Sequence, residues 1–384
     1  MNEAKRIWVV ARVHAPDEGG VQTYVTQVAQ AYARSGRQVT VFAKSSAGPR
    51  TESSAGGIVL VDVGPGPMIA VYWRLALAML RAWFRGDRPD IIHACTWRAA
   101  IPALPFPRPL VVTIHGREVG RPSGIAFRLM RAVLARAARV VAVSDATQRL
   151  LLARLPRLAR TCTTAWNGVV MPEARDAPAN PLPLAVTVCR LVPRKNVPAA
   201  VRAVDACRKG GLALDFAVVG RGVDEPAIRA AIGPSDEGRG RTWLTGYVSD
   251  AQLAEFHRTA DIFLHPQLAL EDGAEMEGFG LSVADAMAHG IPCIVGCDGG
   301  PAELVRDGVD GLVVDGRDPA AVREAVALLA RSPTYRTRLG ANARAFAREN
   351  FNWDRHCQIA VDGLAGNGAA SHSDPPEQVA ASLN

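Results

Sequence analysis

Two acids around a glycine-bearing turn give the densest chemical signal in the chain. The stretch EMEGFGLSVADAMAHG, residues 275–290, places Glu277 just before Gly278-Phe279-Gly280 and Asp285 eight positions later. A helix starting after this turn aims free N–H groups and the positive end of its dipole at it. A phosphate fits there, with Glu277 free to hold the hydroxyls of a neighbouring polyol. An acid favoured by the helix dipole would account for Glu277 equally well. It does not account for Asp285, deeper in the helix between Ala284 and Ala286, where an unpaired buried acid is costly and should have a hydrogen-bonding partner.

Other cations and glycines fall at strand ends. In CRLVPRKN, Arg190 follows a strand and Lys195 lies five residues on, just before a helix. Two cations at that edge could clamp a diphosphate; a solvated basic loop is the bland reading. Gly19-Gly20 follows the first strand and opens a helix, which lets a ligand approach the backbone. It is not the GxGxxG fingerprint, and no acid ends the second strand, so a nicotinamide cofactor is disfavoured. Ser144 in VSDAT reads as a helix N-cap, and Cys293 and Cys297 read as core.

The elements that must hold these residues alternate. RIWVVAR, QVTVFA, GIVLVDV, PDIIHA, LVVTIH and VVAVS read as strands separated by helical patterns, as in a parallel doubly wound sheet. MPEARDAPANPLP, 171–183, reads as a linker. The alternation restarts with LAVTVC, LDFAVVG, TWLTG, DIFLH, IPCIVG and GLVVD as strands. Helices are expected near 198–209, 224–232, 250–259, 281–289 and 319–331. Two α/β domains in tandem leave a cleft, and ligands in open parallel sheets bind beyond the carboxyl ends of the strands.

Length suits two domains. Seven cysteines without a CxxC pair read as reduced thiols. No apolar run suits a signal peptide or a membrane span, so a cytoplasmic protein is expected. Residues 1–175 carry 24 Lys+Arg and 10 Asp+Glu, and the remainder 20 and 27, so the first half is basic and the second acidic. The segments 68–86 and 121–139 combine arginines with Tyr72, Trp73, Trp83 and Phe84, a pattern that suits either an anionic membrane surface or helices packing aromatics on a sheet. No nucleic-acid module is present, so nucleic acid is not an expected partner.

At this point the chain resembles the retaining nucleotide-sugar glycosyltransferases of family 4. Their EGFG-xxxx-E-A-M-A-x-G-x-P signature reads EGFGLSVADAMAHGIP here. GGVQTYV, TIHG, VSDAT, NGV, CRLVPRKN, VVGRG, LTGYVSDAQLAEFHRTADIFLHP and GGPAELVRDGVDGLVV follow the family in order over about residues 5–360. The resemblance implies the GT-B fold: a Rossmann-like acceptor-side domain over 1–175, a donor-binding domain over 176–345, a helix over 346–365 returning to the first domain, and a disordered tail over 366–384.

It also implies roles. Arg190 and Lys195 clamp the donor diphosphate, Glu277 holds the sugar hydroxyls, and His115 in TIHG contacts the transferred sugar. Gly278, Phe279, Gly280 and Leu281 line the donor, with backbone N–H groups from the last three. Gly19 and Gly20 close on the phosphates, Gly246 and Val248 border the base, and Asp285 replaces the ribose-binding glutamate with one methylene less. Val170 stands where Asp is frequent and Gln267 where Ser is usual. No Asp-x-Asp is present, so neither a metal nor another cofactor is expected. The implied activity moves a hexose from GDP-mannose or a UDP-sugar to a glycan or lipid-diphosphate-linked acceptor, by front-face attack. An impaired binding subunit, prompted by Asp285, and a GT-B epimerase are the competing readings.

Overall fold

The structure, a computed structural model, describes residues 5–17, 19–54, 56–173, 180–233 and 239–364 of the 384. Part of the expected linker and the expected disordered tail lie outside the described residues.

Among the described residues, eight strands form the first sheet: β1 (Arg6–Val10), β2 (Gln38–Ala43), β3 (Pro49–Ser53), β4 (Ile58–Val63), β5 (Ile91–Ala94), β6 (Leu110–Ile114), β7 (Arg139–Ala142) and β8 (Cys162–Thr164). Their order is β3-β4-β2-β1-β5-β6-β7-β8. Six form the second: β9 (Leu184–Val188), β10 (Asp215–Val219), β11 (Thr242–Gly246), β12 (Ile262–His265), β13 (Cys293–Gly296) and β14 (Gly311–Val314). Their order is β11-β10-β9-β12-β13-β14.

The strands read as unbroken apolar runs because helices cover both faces of each sheet. In β1, Trp8 and Val10 enter one core while Ile7 and Val9 enter the other. In β10, Phe216 and Val218 point to one side and Ala217 and Val219 to the opposite one. Only β3 departs from the parallel expectation, pairing antiparallel with β4. Its sequence PRTES is largely exposed, as suits a protected edge strand.

Each sheet has a switch point where the chain reverses its direction of growth. In the first, β1 lies between β2 and β5, with Val10 beside Ala94. In the second, β9 lies between β10 and β12. Crevices open at the carboxyl ends of such strand pairs.

The chain passes between the domains twice. After the Pro333–Asn350 helix it turns at Phe351, and Asn352 caps the Trp353–Val361 helix by accepting from Asp354 N at 2.8 Å and Arg355 N at 3.1 Å. That helix packs on Gly20–Arg34, placing Trp353, Cys357, Ala360 and Val361 in the first domain's core. Burial of a side chain such as Val361 contributes roughly 1.5–3 kcal/mol, and Trp353 adds a larger apolar surface, which anchors the helix. The two crossings touch: Val169 N donates to Phe351 O at 3.2 Å. All seven cysteines are free; Cys293 is core as expected, but Cys297 is exposed, one residue beyond the end of β13.

Candidate active site

Glu277 anchors the second domain's half of the cleft. Lys195 Nζ lies 2.8 Å from its Oε2, and Arg194 Nε lies 3.2 Å from the same oxygen. Burial alone would push the Glu277 carboxyl up, but Lys195 and Arg194 more than offset this and hold it at about 2, below its ordinary 4.5. The carboxylate is therefore ionised at neutral pH. Lys195 also donates to His265 Nε2 at 3.4 Å. Burial and the Lys195 charge bring His265 down to about 3, so it stays neutral and can accept.

The loop around Lys195 is built to point inward. Pro193–Lys195 forms one 3-10 turn, ended by Asn196 in the left-handed region at φ 54°. The Asn196 amide donates to Pro266 O at 3.0 Å and Gly316 O at 2.7 Å, which fixes the turn at the β9/β12 switch point. Arg190 instead stands exposed just past β9. The structure thus brings Lys195 to Glu277 and leaves Arg190 outside that cluster; Arg194 occupies the place beside the acid. The signal for Arg194 was present in PRK, but choosing between two arginines four residues apart requires the turn geometry.

Gly278 brings the two domains together. A Cβ built on it would lie 1.8 Å from the His115 carbonyl oxygen. Its own carbonyl accepts from Ser144 Oγ at 2.5 Å and Thr147 Oγ1 at 3.3 Å. Ser144 also caps the Asp145–Arg154 helix by accepting from Thr147 N at 3.0 Å. Glu303 reaches across to the same helix start, accepting from Asp145 N at 2.8 Å and Ala146 N at 2.5 Å. Glu275 joins the domains as well, with Arg117 and Arg121 each 3.3 Å away. None of these bridging acids was singled out in the sequence, because their partners are far away along the chain.

Phe279 turns into the core, with its ring 6.0 Å from Phe351, so only its backbone can face a ligand. Gly280, at φ 96°, starts the Leu281–Ala288 helix with no side-chain cap. The Gly20–Arg34 helix likewise starts from Gly19, at φ 143°, without one. A Cβ on Gly20 would meet Leu281 Cδ1 at 3.6 Å. Two uncapped helix N-termini, one from each domain, thus meet across the cleft, an arrangement that favours anions.

His115 follows β6. Its Nε2 donates to Cys95 O at 2.9 Å. The Tyr24 ring packs edge-on at 4.8 Å. Tyr24 is itself held by Thr113 Oγ1 at 2.8 Å and by His356 Nε2 at 2.7 Å, the latter from the crossing helix. Gly246, at φ 71°, ends β11, and Val248 is half-buried against the second core. Gln267 braces strand ends, donating to Gly296 O at 2.7 Å and Asp298 O at 2.8 Å. Val170 is exposed, and nothing in the structure explains it.

Asp285 is half-buried by area, yet its carboxylate has no protein partner among the described residues. The expected hydrogen-bonding partner is therefore not a protein group. Burial pushes this carboxyl up to about 7 from 3.8. Because the folded value is raised, ionisation costs stability as pH climbs from about 4 to 7. Asp285→Asn is expected to be more stable than the unsubstituted chain by up to about 4 kcal/mol at pH 8 and equal to it below pH 3. Thermal denaturation across that pH range checks both the size and the sign.

Two Rossmann-like domains meeting at this cleft define the GT-B fold. The fold matches sucrose-phosphate synthase from Thermosynechococcus elongatus with a TM-score of 0.72 at 18% identity, covering 92% of this chain and 97% of that one. It matches Anabaena HepE in complex with UDP and glucose with a TM-score of 0.72 at 17% identity, covering 95% and 100%.

The chain belongs to glycosyltransferase family 4. The Glycosyltransferase Family 4 profile matches residues 18–171, and Glycosyl transferases group 1 matches 173–346. Among its relatives is a GDP-mannose-dependent alpha-(1-6)-phosphatidylinositol monomannoside mannosyltransferase of Mycobacterium tuberculosis, 27% identical over 95% of this chain and 99% of that one. Another is a D-inositol 3-phosphate glycosyltransferase of Streptomyces scabiei, 26% identical over 89% and 86%.

Proposed function

We propose that this glycosyltransferase is a retaining, metal-independent hexosyltransferase using GDP-mannose or a UDP-sugar. Its acceptor is a lipid-linked or glycan hydroxyl in glycolipid or surface-polysaccharide biosynthesis. The observation that carries this reading is the meeting of two uncapped helix starts beside the Lys195–Glu277 pair. The donor's diphosphate sits at those helix starts with Lys195 and Arg190. Glu277 holds sugar hydroxyls, and the unpaired Asp285 carboxylate takes the ribose hydroxyls. The sugar C1–O bond to the diphosphate breaks, the acceptor oxygen bonds to C1 on the same face, and its proton passes to the leaving phosphate oxygen. His115 supports the sugar at the reacting centre. The cations and helix dipoles stabilise the departing charge, a role that needs no metal.

Melting-temperature shifts with GDP, UDP, GDP-mannose and UDP-hexoses test the donor assignment. Assays for donor hydrolysis and transfer separate an enzyme from an impaired binding subunit, and the anomeric configuration of the product tests retention. The absence of both a nucleotide shift and turnover overturns the reading.

The Met68–Phe84 helix supports a membrane-borne acceptor. Val71, Leu75 and Met79 face the core, and Trp83 packs 5.5 Å from Phe106. Ile69, Trp73, Leu77, Leu80 and Phe84 form an exposed stripe on the other side, Trp73 at 74% and Phe84 at 80%. Residues 64–86 and 119–144 contain no Asp or Glu but several arginines, so an anionic lipid surface complements both the apolar stripe and the charge. No helix among the described residues is long and apolar enough to cross a membrane; docking is peripheral, on the cytoplasmic face. The pair Trp73→Glu and Phe84→Glu is expected to weaken co-sedimentation with phosphatidylglycerol vesicles by about tenfold or more. Unchanged binding rules out this face.

A further inference from the structure

The first sheet has its own switch-point crevice, where β1 and β5 end side by side, and two arginines outside the donor machinery stand at it. Arg12 lies two residues past β1, and Arg98 lies four past β5. Both are half-buried, and among the described residues neither forms an ion pair. Arg12 donates to Met68 Sδ at 3.4 Å, a weak acceptor at the start of the Met68–Phe84 helix, and its buried Nε has no partner. Arg98 has only the Trp97 ring, with its guanidinium carbon 4.3 Å from the centroid.

The two cations oppose each other. Burial lowers Arg98 first and the Arg12 charge lowers it further, while Tyr72 and Glu118 act in the opposite direction. Glu118 is engaged elsewhere, since its carboxylate accepts from His115 N at 2.5 Å. Neighbouring guanidinium groups without a carboxylate between them lack the anion that would make burial favourable. Their planar forks suit phosphate oxygens.

The crevice lies close to His115. The loop carrying Arg98 also holds His115, through Cys95 O, and its Trp97 Nε1 donates to Glu118 O at 2.9 Å. The crevice therefore adjoins the reacting centre from the acceptor side, at the foot of the helix with the exposed apolar stripe.

We propose that Arg12 and Arg98 form a site for a phosphate ester carried by the acceptor, close to the hydroxyl that is glycosylated. This rests on the transferase reading above and assigns the chemistry of its acceptor. The phosphate belongs either to a lipid headgroup or to a soluble phosphorylated acceptor.

The test titrates the full chain with glycerol 3-phosphate, with glycerol, and with phosphatidylcholine vesicles with and without phosphatidylinositol. The unsubstituted chain, Arg12→Gln/Arg98→Gln, Arg98→Lys and Lys195→Ala are compared. The double variant is expected to lose glycerol 3-phosphate binding by about tenfold or more, while Lys195→Ala retains it and Arg98→Lys is intermediate. Glycerol should not bind. A parallel loss of phosphatidylinositol-dependent vesicle binding identifies a lipid-borne phosphate; loss with the soluble ester alone identifies a soluble one. Equal glycerol 3-phosphate binding by the double variant and the unsubstituted chain overturns the site, as does a loss seen only with vesicles. Melting shifts with GDP and UDP are read in the same samples. If no variant and not the unsubstituted chain responds to either nucleotide, the transferase reading fails, whereas intact nucleotide shifts with Arg-independent phosphate binding sink only this site.

Discussion

Lys195→Ala is expected to lower kcat/KM for sugar transfer by about 10²–10³-fold while leaving the fold intact. Lys195 Nζ sits 2.8 Å from Glu277 and is buried, so its charge is little screened. In the ground state it balances the acid. In the proposed mechanism new negative charge forms on the diphosphate as the donor bond breaks, and Lys195 stabilises it. Arg194 remains beside Glu277 in the variant, so the acid keeps a partner and the domain keeps its packing. Steady-state kinetics with a melting curve on the same sample separates the two effects. Unchanged kinetics in a folded variant would refute the role.

Gly278→Val should be comparably severe for a different reason. The His115 carbonyl oxygen lies 1.8 Å from the added Cβ, whereas real Cβ contacts essentially never fall below 3.0 Å. The loops must part by about 1 Å, and a displacement of that size at a reacting centre costs about 10²-fold. Transfer should fall by about that factor or more. Nucleotide binding, which the proposed function assigns mainly to the second domain, should change only a few-fold. A variant that loses both equally would show local unfolding, and one that loses neither would show that the domains need not approach this closely.

The second domain was the more legible half in sequence. Its expected helices at 250–259 and 319–331 coincide with the observed Asp250–Thr259 and Pro319–Arg331, because Ser249 and Asp318 cap them and apolar periodicity fills them. β3 went unread since PRTES has no alternation to reveal an edge strand. The three-residue β8 is similarly short of signal. At the site, the Glu277–Lys195 pairing was readable only as two separate motifs; the contact depends on the left-handed Asn196 turn. Arg12 and Arg98 carried no motif at all. Their meaning comes from the parallel neighbours β1 and β5, a pairing between segments some eighty residues apart, which no local spacing reports.

The doubled crossing between the domains constrains how they can travel. One connection would act as a swivel, free to twist and tilt. Here two strands of chain run side by side and are tied at Val169 and Phe351, with Gly168 pressed so close to Trp353 that a Cβ would fall 2.3 Å from its nitrogen. The two fastened crossings lie along one line, so closure of the cleft is expected to swing the domains about it, like a door on paired pins. Atoms near that line scarcely move, while those farthest from it sweep the largest arc. The contacts across the mouth, Gly20 with Leu281 and Glu275 with Arg117 and Arg121, must then form and break together in one stroke.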